Sequence, residues 1–278
     1  MDARDSDDFS ISMEISDNAP IGSTSGIILS MECDNSFNRS DTIEFVIGQR
    51  QIIFFDGFEN ELANWMLNGD WGLTNDAATG EFALSDSPNG NYQEQQESSA
   101  ELDLFFEFDY LISPIIKFKA KWDIEQNWDF VQFQAYVENT GWISLKGQYT
   151  NLGSGNIAQP AGVPGYDGIQ LEWINETIDL DQLDGEIITG FRFVQSSDNF
   201  VQGDGFTIDD FSISGFPNGI MGDYNLDASV DIYDLLGIVD VLIFDSEPTE
   251  SQLFFCDLDG SGDLDVMDLV ALSNLILG

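Results

Sequence analysis

The stretch IIKFKAKWDIEQNWDFVQFQAYV (115–137) decides how this chain folds. Both arms, IIKFKAKW and DFVQFQAYV, show the period-two apolar pattern of strands lying on a core, and turn residues lie between them. Working outward, strand-like runs recur in QIIFF (51–55), EFALS (81–85), LDLFFEF (102–108), GWISL (141–145), ITGFRFV (188–194) and FTIDDFSIS (206–214). Glycine-, asparagine- and proline-rich turns separate them, and no convincing helix intervenes. Many strands without helices predict an antiparallel β-sandwich over residues 51–216. The loop YTNLGSGNIAQPAGVPGYDG (149–168) has no periodicity and is expected to fold over one end of that sandwich.

Two smaller regions flank the sandwich. In residues 1–50, FSISMEIS (9–16) alternates Phe9, Ile11, Met13 and Ile15 against polar partners, the signature of a half-buried strand. GIILSMEC (26–33) and TIEFVIG (42–48) are two more apolar stretches of strand type. At the other end, GFPNGIMG (215–222) reads as a short linker. Beyond it, in residues 217–278, the period changes to 3.6. DIYDLLGIVDVLIF (231–244) and DVMDLVALSNLIL (265–277) are apolar at helical spacing, and an acidic loop precedes each. The expected class is mainly β, with a small α-helical module at the C-terminal end.

Composition excludes several functions. Fifty-one acidic residues against eight basic ones give a formal net charge of −43. Such a surface repels nucleic acid and anionic lipid, and its self-repulsion calls for screening by divalent cations or salt. The chain has no histidine, so His-based triads, His-ligated zinc and imidazole acid–base chemistry are absent. Paired carboxylates could still hydrolyse glycosides, but acids this abundant fall near one another without meaning. The expectation is a protein that is not an enzyme. Cys33 and Cys256 make no CxxC or zinc pattern, leaving either one bridge or two buried thiols. The acidic start MDARDSDDFS lacks the apolar core of a signal peptide, and no apolar run reaches the ~18 residues of a membrane span.

The C-terminal loops carry the sharpest chemistry. GDYNLDASVDIYDLL aligns with CDLDGSGDLDVMDLV at a spacing of 34 residues. The first loop places Asp223, Asn225, Asp227, Asp231 and Asp234 at positions 1, 3, 5, 9 and 12, and the second places Asp257, Asp259, Ser261, Asp265 and Asp268 there. Position 7, Ser229 or Asp263, would give its backbone carbonyl. A hard cation takes six to eight oxygens at about 2.4 Å, and this spacing wraps one chain around one ion. The region resembles the dockerin module, which uses Asp at position 12 where an ordinary EF-hand uses Glu. The resemblance implies calcium. It also implies that positions 10 and 11 help choose the partner; here they are the apolar pairs Ile232–Tyr233 and Val266–Met267 rather than small hydroxyl residues. Such pairs suit packing on another protein surface or within this chain, and put ordinary cohesin recognition in doubt. Ala228 stands where such loops usually have glycine, an expected source of strain in the first site.

Four segments of the central region occur in a familiar order: DGFENELANWMLNGDWGLT (56–74), SDSPNGNY (85–92), KWDIEQNWDFVQFQ (121–134) and GDGFTIDDFSISG (203–215). With them, residues 51–216 resemble the MAM-like jelly-roll module that follows the catalytic domain in secreted bacterial zinc carboxypeptidases and immune-inhibitor-A-type peptidases. The strands before it look like the closing half of an immunoglobulin-like domain. The resemblance implies a calcium ion where the first and last strands meet. The carried-over candidates are Asp56 and Glu59 at the opening, Asp204, Asp209 and Asp210 at the close, and Asp86 in the turn between; the competing reading is solvated turn carboxylates.

The six tryptophans are expected to be mostly core, the alternative being a sugar-stacking platform. Asn38 (NRS) and Asn175 (NET) fit the N-glycan acceptor pattern, and Asp41–Thr42–Ile43 resembles the O-glycan acceptor of Bacteroidota. Together these readings give a secreted or cell-surface, calcium-binding, non-catalytic protein. Its partners would be other copies of itself through strand addition by FSISMEIS, or another extracellular module. The alternatives are an accessory tail of a secreted peptidase and a carbohydrate-binding module that takes polysaccharide.

Overall fold

The computed structural model describes residues 12–16, 19, 21–32, 38–104, 106, 108–183, 185–244 and 246–278. They divide into two compact units, Met1–Gln49 and Arg50–Gly278. In the first, strands β1 (Thr24–Glu32) and β2 (Asn38–Val46) pair antiparallel from Thr24↔Val46 to Glu32↔Asn38. This register puts Ile27, Leu29, Ile43 and Phe45 on one face, and none of them is buried. The strand expected over FSISMEIS is not formed in residues 12–16, where Met13 and Ile15 are 52% and 49% exposed. An alternating pattern makes a stable strand only when a neighbour takes up its backbone groups. Phe9, Ile11 and Cys33 lie outside the described residues.

The second unit contains the sandwich. Its strands are β3 (Gln51–Asp56), β4 (Trp65–Asn68), β5 (Gly72–Thr74), β6 (Ala83–Ser85), β7 (Glu97–Leu102), β8 (Leu111–Ile124), β9 (Phe130–Val137) and β10 (Gly141–Ser144). They continue as β11 (Asn151–Leu152), β12 (Pro164–Gly165), β13 (Gly168–Asp179), β14 (Ile188–Ser196) and β15 (Gly205–Pro217). One sheet runs β10-β9-β14-β7-β4, and the other runs β13-β8-β15-β6-β5 with β3 also pairing β15. All the named pairs are antiparallel.

The two arms that decided the sequence reading, β8 and β9, fall in opposite sheets. Ile116, Phe118, Ala120 and Trp122 of β8 face Val131, Phe133, Ala135 and Val137 of β9 across one core. Phe193 and Phe211 complete an aromatic centre in which Phe118 lies edge-on to Phe193 at 5.3 Å and Phe133 lies 4.7 Å from Phe193. Each such ring, fully withdrawn from water, contributes roughly 1.5–3 kcal/mol. Trp65, Trp71 and Trp122 are buried, as a core role requires; Trp142 and Trp173 are half-buried, and Trp128 is 45% exposed.

Three helices follow: α1 (Ile232–Phe244), α2 (Glu250–Cys256) and α3 (Val266–Leu277). The periodicity announced α1 and α3. The short α2 is started by a capping box, with Thr249 and Gln252 each accepting from the other's backbone N–H. Ile238, Val241, Phe255, Leu264 and Leu272 of this module share a second core with Tyr110 and Leu111 at the base of β8. Tyr110 meets Phe255 edge-on at 6.3 Å. Cys256 is a free thiol buried in that core.

Candidate metal centres

Both C-terminal loops fold by the same internal hydrogen bonds. In the first, the Asp223 carboxylate accepts from the N–H groups of Asp227 at 3.1 Å and Ala228 at 2.8 Å. Asp234, at the first turn of α1, accepts from Asn225 and Asp231. The second loop repeats this with Asp257 accepting from Ser261 and Gly262, and Asp268 accepting from Leu258, Asp259 and Asp265. Position 12 is fully buried in both, at Asp234 and Asp268, and Asp223 is 2% exposed. Ligand oxygens of Asp257, Asp259 and Asp268 lie within 4.8 Å of one another. Converging carboxylates from one short loop are the donor chemistry of a hard divalent cation such as calcium; beside them Ser261 Oγ donates to the Asp263 carbonyl at 3.1 Å. Among the described residues, the first loop gathers no comparable group of three carboxylates.

Backbone strain distinguishes the two sites. Positions 4 and 6 are left-handed in both loops, at φ 57° for Leu226 and 67° for Ala228, and at 72° for Gly260 and 91° for Gly262. The second loop meets both demands with glycine, the first with neither. Sequence reasoning found the strain at Ala228 and missed it at Leu226. Cys256 stands immediately before the second loop. Burial, then the charges of Asp234, Asp223 and Asp268, push its thiol up to about 12.

Among the described residues, the apolar pairs at positions 10 and 11 are left exposed. Ile232, Tyr233, Val266 and Met267 are 54%, 66%, 61% and 59% exposed. Their helices turn the residues that build the shared core the other way.

The carboxylates carried over onto the sandwich do not converge into one cluster. Asp56 accepts from Phe58 N and from the Trp65 indole, fixing the chain where β3 leaves the sheet. Glu59 accepts from Glu81 and Phe82, and Asp209 accepts from Ala78, Thr79 and Asp210. Burial keeps the Asp209 carboxyl above the ordinary carboxylate range despite those three donors. Asp210, at φ 49° in a bulge of β15, turns outward to Thr79 and to Lys119 at 2.8 Å. Glu59, Asp209 and Asp210 tie down the segment 78–82, and Asp56 holds only its own turn. Asp86 lies apart from them with Asp204: the Ser87 hydroxyl donates to Asp86 Oδ1 and bonds the Asp204 carbonyl, each at 2.7 Å.

A further acidic cluster had no sequence signal. Glu125 and Asp129 precede β9, Asp198 follows β14, and their ligand atoms lie within 4.8 Å of one another. Asp129 is fully buried, accepting from Tyr92 Oη at 2.7 Å and Asp198 N at 2.6 Å. Burial first, then the neighbouring charges, raises both Glu125 and Asp129 above the ordinary range. The three glycan-acceptor candidates, Asn38, Thr42 and Asn175, are exposed on β2 and β13.

No protein-family model matches the chain, and no curated protein matches it. Among solved structures, the CBM22-1 xylan-binding domain of Paenibacillus barcinonensis Xyn10C is 12% identical at a TM-score of 0.38, covering 62% of this chain and 99% of that one. The K3 cleaved adhesin domain of Lys-gingipain from Porphyromonas gingivalis is 13% identical at 0.36, covering 59% and 100%. The mannan-recognising carbohydrate-binding module TmCBM27 is 14% identical at 0.34, covering 60% and 99%. At these scores the likenesses carry no functional argument. No family model supports the resemblances to dockerin and MAM-like modules, which rest on the quoted residues alone.

Proposed function

We propose that this chain is a non-catalytic extracellular binding module whose C-terminal loops take calcium and whose sandwich engages a polysaccharide. One observation carries the reading: a fully buried Asp268 turned toward Asp257 and Asp259 in a twelve-residue loop, with the same internal bonding repeated around Asp234. Without a cation, each loop packs like charges together around a buried carboxylate. With one, the repulsion becomes ligation, and folding of the module is linked to binding. The role of this chain's residues is to position oxygens. Asp223 and Asp257 brace the loop backbone, and Asp234 and Asp268 join the loop to its helix. The bound ion would supply compensating charge and nothing reactive. Calorimetric titration of the chelator-treated protein tests this. Binding of calcium is expected, together with a rise in the melting temperature that Asp257→Ala reduces. No calcium uptake at millimolar concentration, or an unchanged melt in EDTA, would refute it.

A second reading, self-association by strand addition, is favoured by the N-terminal hairpin. Two strands alone are marginally stable in water, and β1–β2 leaves Ile28, Met31, Ile43 and Val46 about half exposed or more. Sedimentation velocity in millimolar calcium separates the readings. Concentration-dependent assembly supports strand addition, and a monomer throughout removes it.

A further inference from the structure

The five-stranded sheet turns one face to the core; on the other, Tyr136 is 40% exposed, Gln134 is half-buried, and Gln132 is only 8% exposed. Because Val131, Phe133 and Ala135 of β9 point inward, Gln132, Gln134 and Tyr136 point outward. Strand register sets Arg192 of β14 beside Gln134, Trp142 of β10 beside Tyr136, and Ser144 beside Gln134. These side chains are locked together. Arg192 Nε donates to Gln134 Oε1 at 2.8 Å, and its guanidinium lies over the Trp142 ring at 4.1 Å. Gln132 Nε2 donates to Ser144 Oγ at 2.6 Å, and Tyr136 meets Trp142 edge-on at 5.2 Å. Gln132 also floors a cavity of 430 Å³ whose sides include Glu97, Ser196, Ile157, Pro160 and Phe200. Ile157 and Phe200 stand 90% and 70% exposed at its rim.

An ordinary solvated sheet face in a chain with 51 acids and eight bases would be acidic. The middle of this one carries amides and a hydroxyl that both donate and accept, a fixed guanidinium, and aromatic rings along one edge. Those are the complements of sugar hydroxyls and of the apolar faces of pyranose rings. Charge selects among glycans. Glu101 stands opposite Arg192 and Glu97 opposite Ser196, and the whole molecule is strongly negative, so a polyanion is repelled. From β4 to β10 the sheet spans about 19 Å, longer than one sugar. We infer that the outer face of the β10-β9-β14-β7-β4 sheet, with the adjoining cavity, is a binding groove for a neutral polysaccharide chain. Trp142, Tyr136 and Phe200 would stack on sugar rings, Gln134 and Arg192 would read hydroxyls, and the buried Gln132 would hold Ser144 in place beside them. This rests on the non-catalytic binding role proposed above and assigns that role a site.

Affinity electrophoresis of the full chain in calcium, through gels containing xylan, mannan, a mixed-linkage β-glucan or polygalacturonate, tests it. Retardation is expected in at least one neutral gel and not in polygalacturonate. Gln134→Ala and Phe200→Ala should each weaken that retardation at least tenfold with unchanged melting temperatures. Phe200→Ala keeps the test decisive should changes among the packed residues disturb the sheet, because Phe200 lies exposed on a loop. No retardation in any neutral gel, retardation in polygalacturonate alone, or retardation that both variants retain would overturn the groove. Calcium titration of the same samples separates this failure from failure of the calcium reading, and release of reducing ends would instead overturn the non-catalytic role.

Discussion

Asp86→Asn should remove a pH-dependent weakness from the sandwich. Asp86 is 1% exposed, its Oδ1 accepts from Ser87 Oγ and from Phe206 N at 2.9 Å, and its Oδ2 has no partner. Burial, only partly offset by those donors, and the nearby Asp204 charge push the carboxyl up to about 7, against an ordinary 3.8. The unfolded chain therefore releases this proton near pH 4, and the folded chain releases it only near 7. Below 4 both states are protonated and no stability is lost. Between the two values ionisation favours the unfolded state by about 1.4 kcal/mol per pH unit, and above 7 the loss levels off at about 4 kcal/mol. Asparagine has the shape of the protonated acid and cannot ionise. Wild type and Asp86→Asn should be compared by urea unfolding in EDTA, read from the fluorescence of the buried tryptophans. The difference between them should shift by about 3 kcal/mol in favour of the variant from pH 5 to pH 8. Parallel pH profiles would refute the assignment of a buried, protonated Asp86, and a profile that calcium flattens would show a cation there in place of the proton.

Relieving the first loop with Leu226→Gly and Ala228→Gly should raise its calcium affinity toward that of the second, each change removing about 1 kcal/mol of left-handed strain; affinities that do not move would show the strain to be harmless. Phe193→Ala opens a cavity where Trp65, Phe118, Phe133 and Phe211 meet, and should cost about 3–5 kcal/mol by denaturant titration. The Cys256 thiol, buried and pushed up to about 12, should resist an aromatic disulfide reagent at pH 8 in the native protein and react at once in denaturant.

Strands with a strict apolar alternation, such as β8, β9 and β14, were legible because burial of one face forces the period of two, whereas β4, β5 and β13 were not read. The reading slipped at LDLFFEF. There β7 ends at Leu102 and takes instead the polar-looking ESSAEL, whose pairing with β14 and β4 decides the matter. Hydrophobicity alone could not show that. The helix α2 was missed although Thr249 and Gln252 spell its capping box. The internal hydrogen bonding of the two acidic loops could be anticipated because each loop is a dozen consecutive residues. Glu125, Asp129 and Asp198 could not, since two distant loops meet to form that cluster. The acids carried over by resemblance went the same way. Asp56, Glu59 and Asp209 occupy their oxygens with backbone and indole N–H groups that no sequence pattern displays.

The long strand β15 has a mechanical meaning. It is hydrogen-bonded to β8 from Gly205↔Asp123 to Pro217↔Leu111 across two register shifts, and residues 218–231 lead from it to α1. A pull transmitted along the axis of β15 would load this ladder in shear. The rungs of an antiparallel ladder loaded this way share the force and must give way together, whereas a strand peeled from its end loses them one at a time. The shared packing of Tyr110 and Leu111 against Phe255 ties the C-terminal module to the same end of the ladder. A protein that grips a polymer on its five-stranded sheet while its C-terminal helices are held would bear that load on the strand pair best placed to resist it.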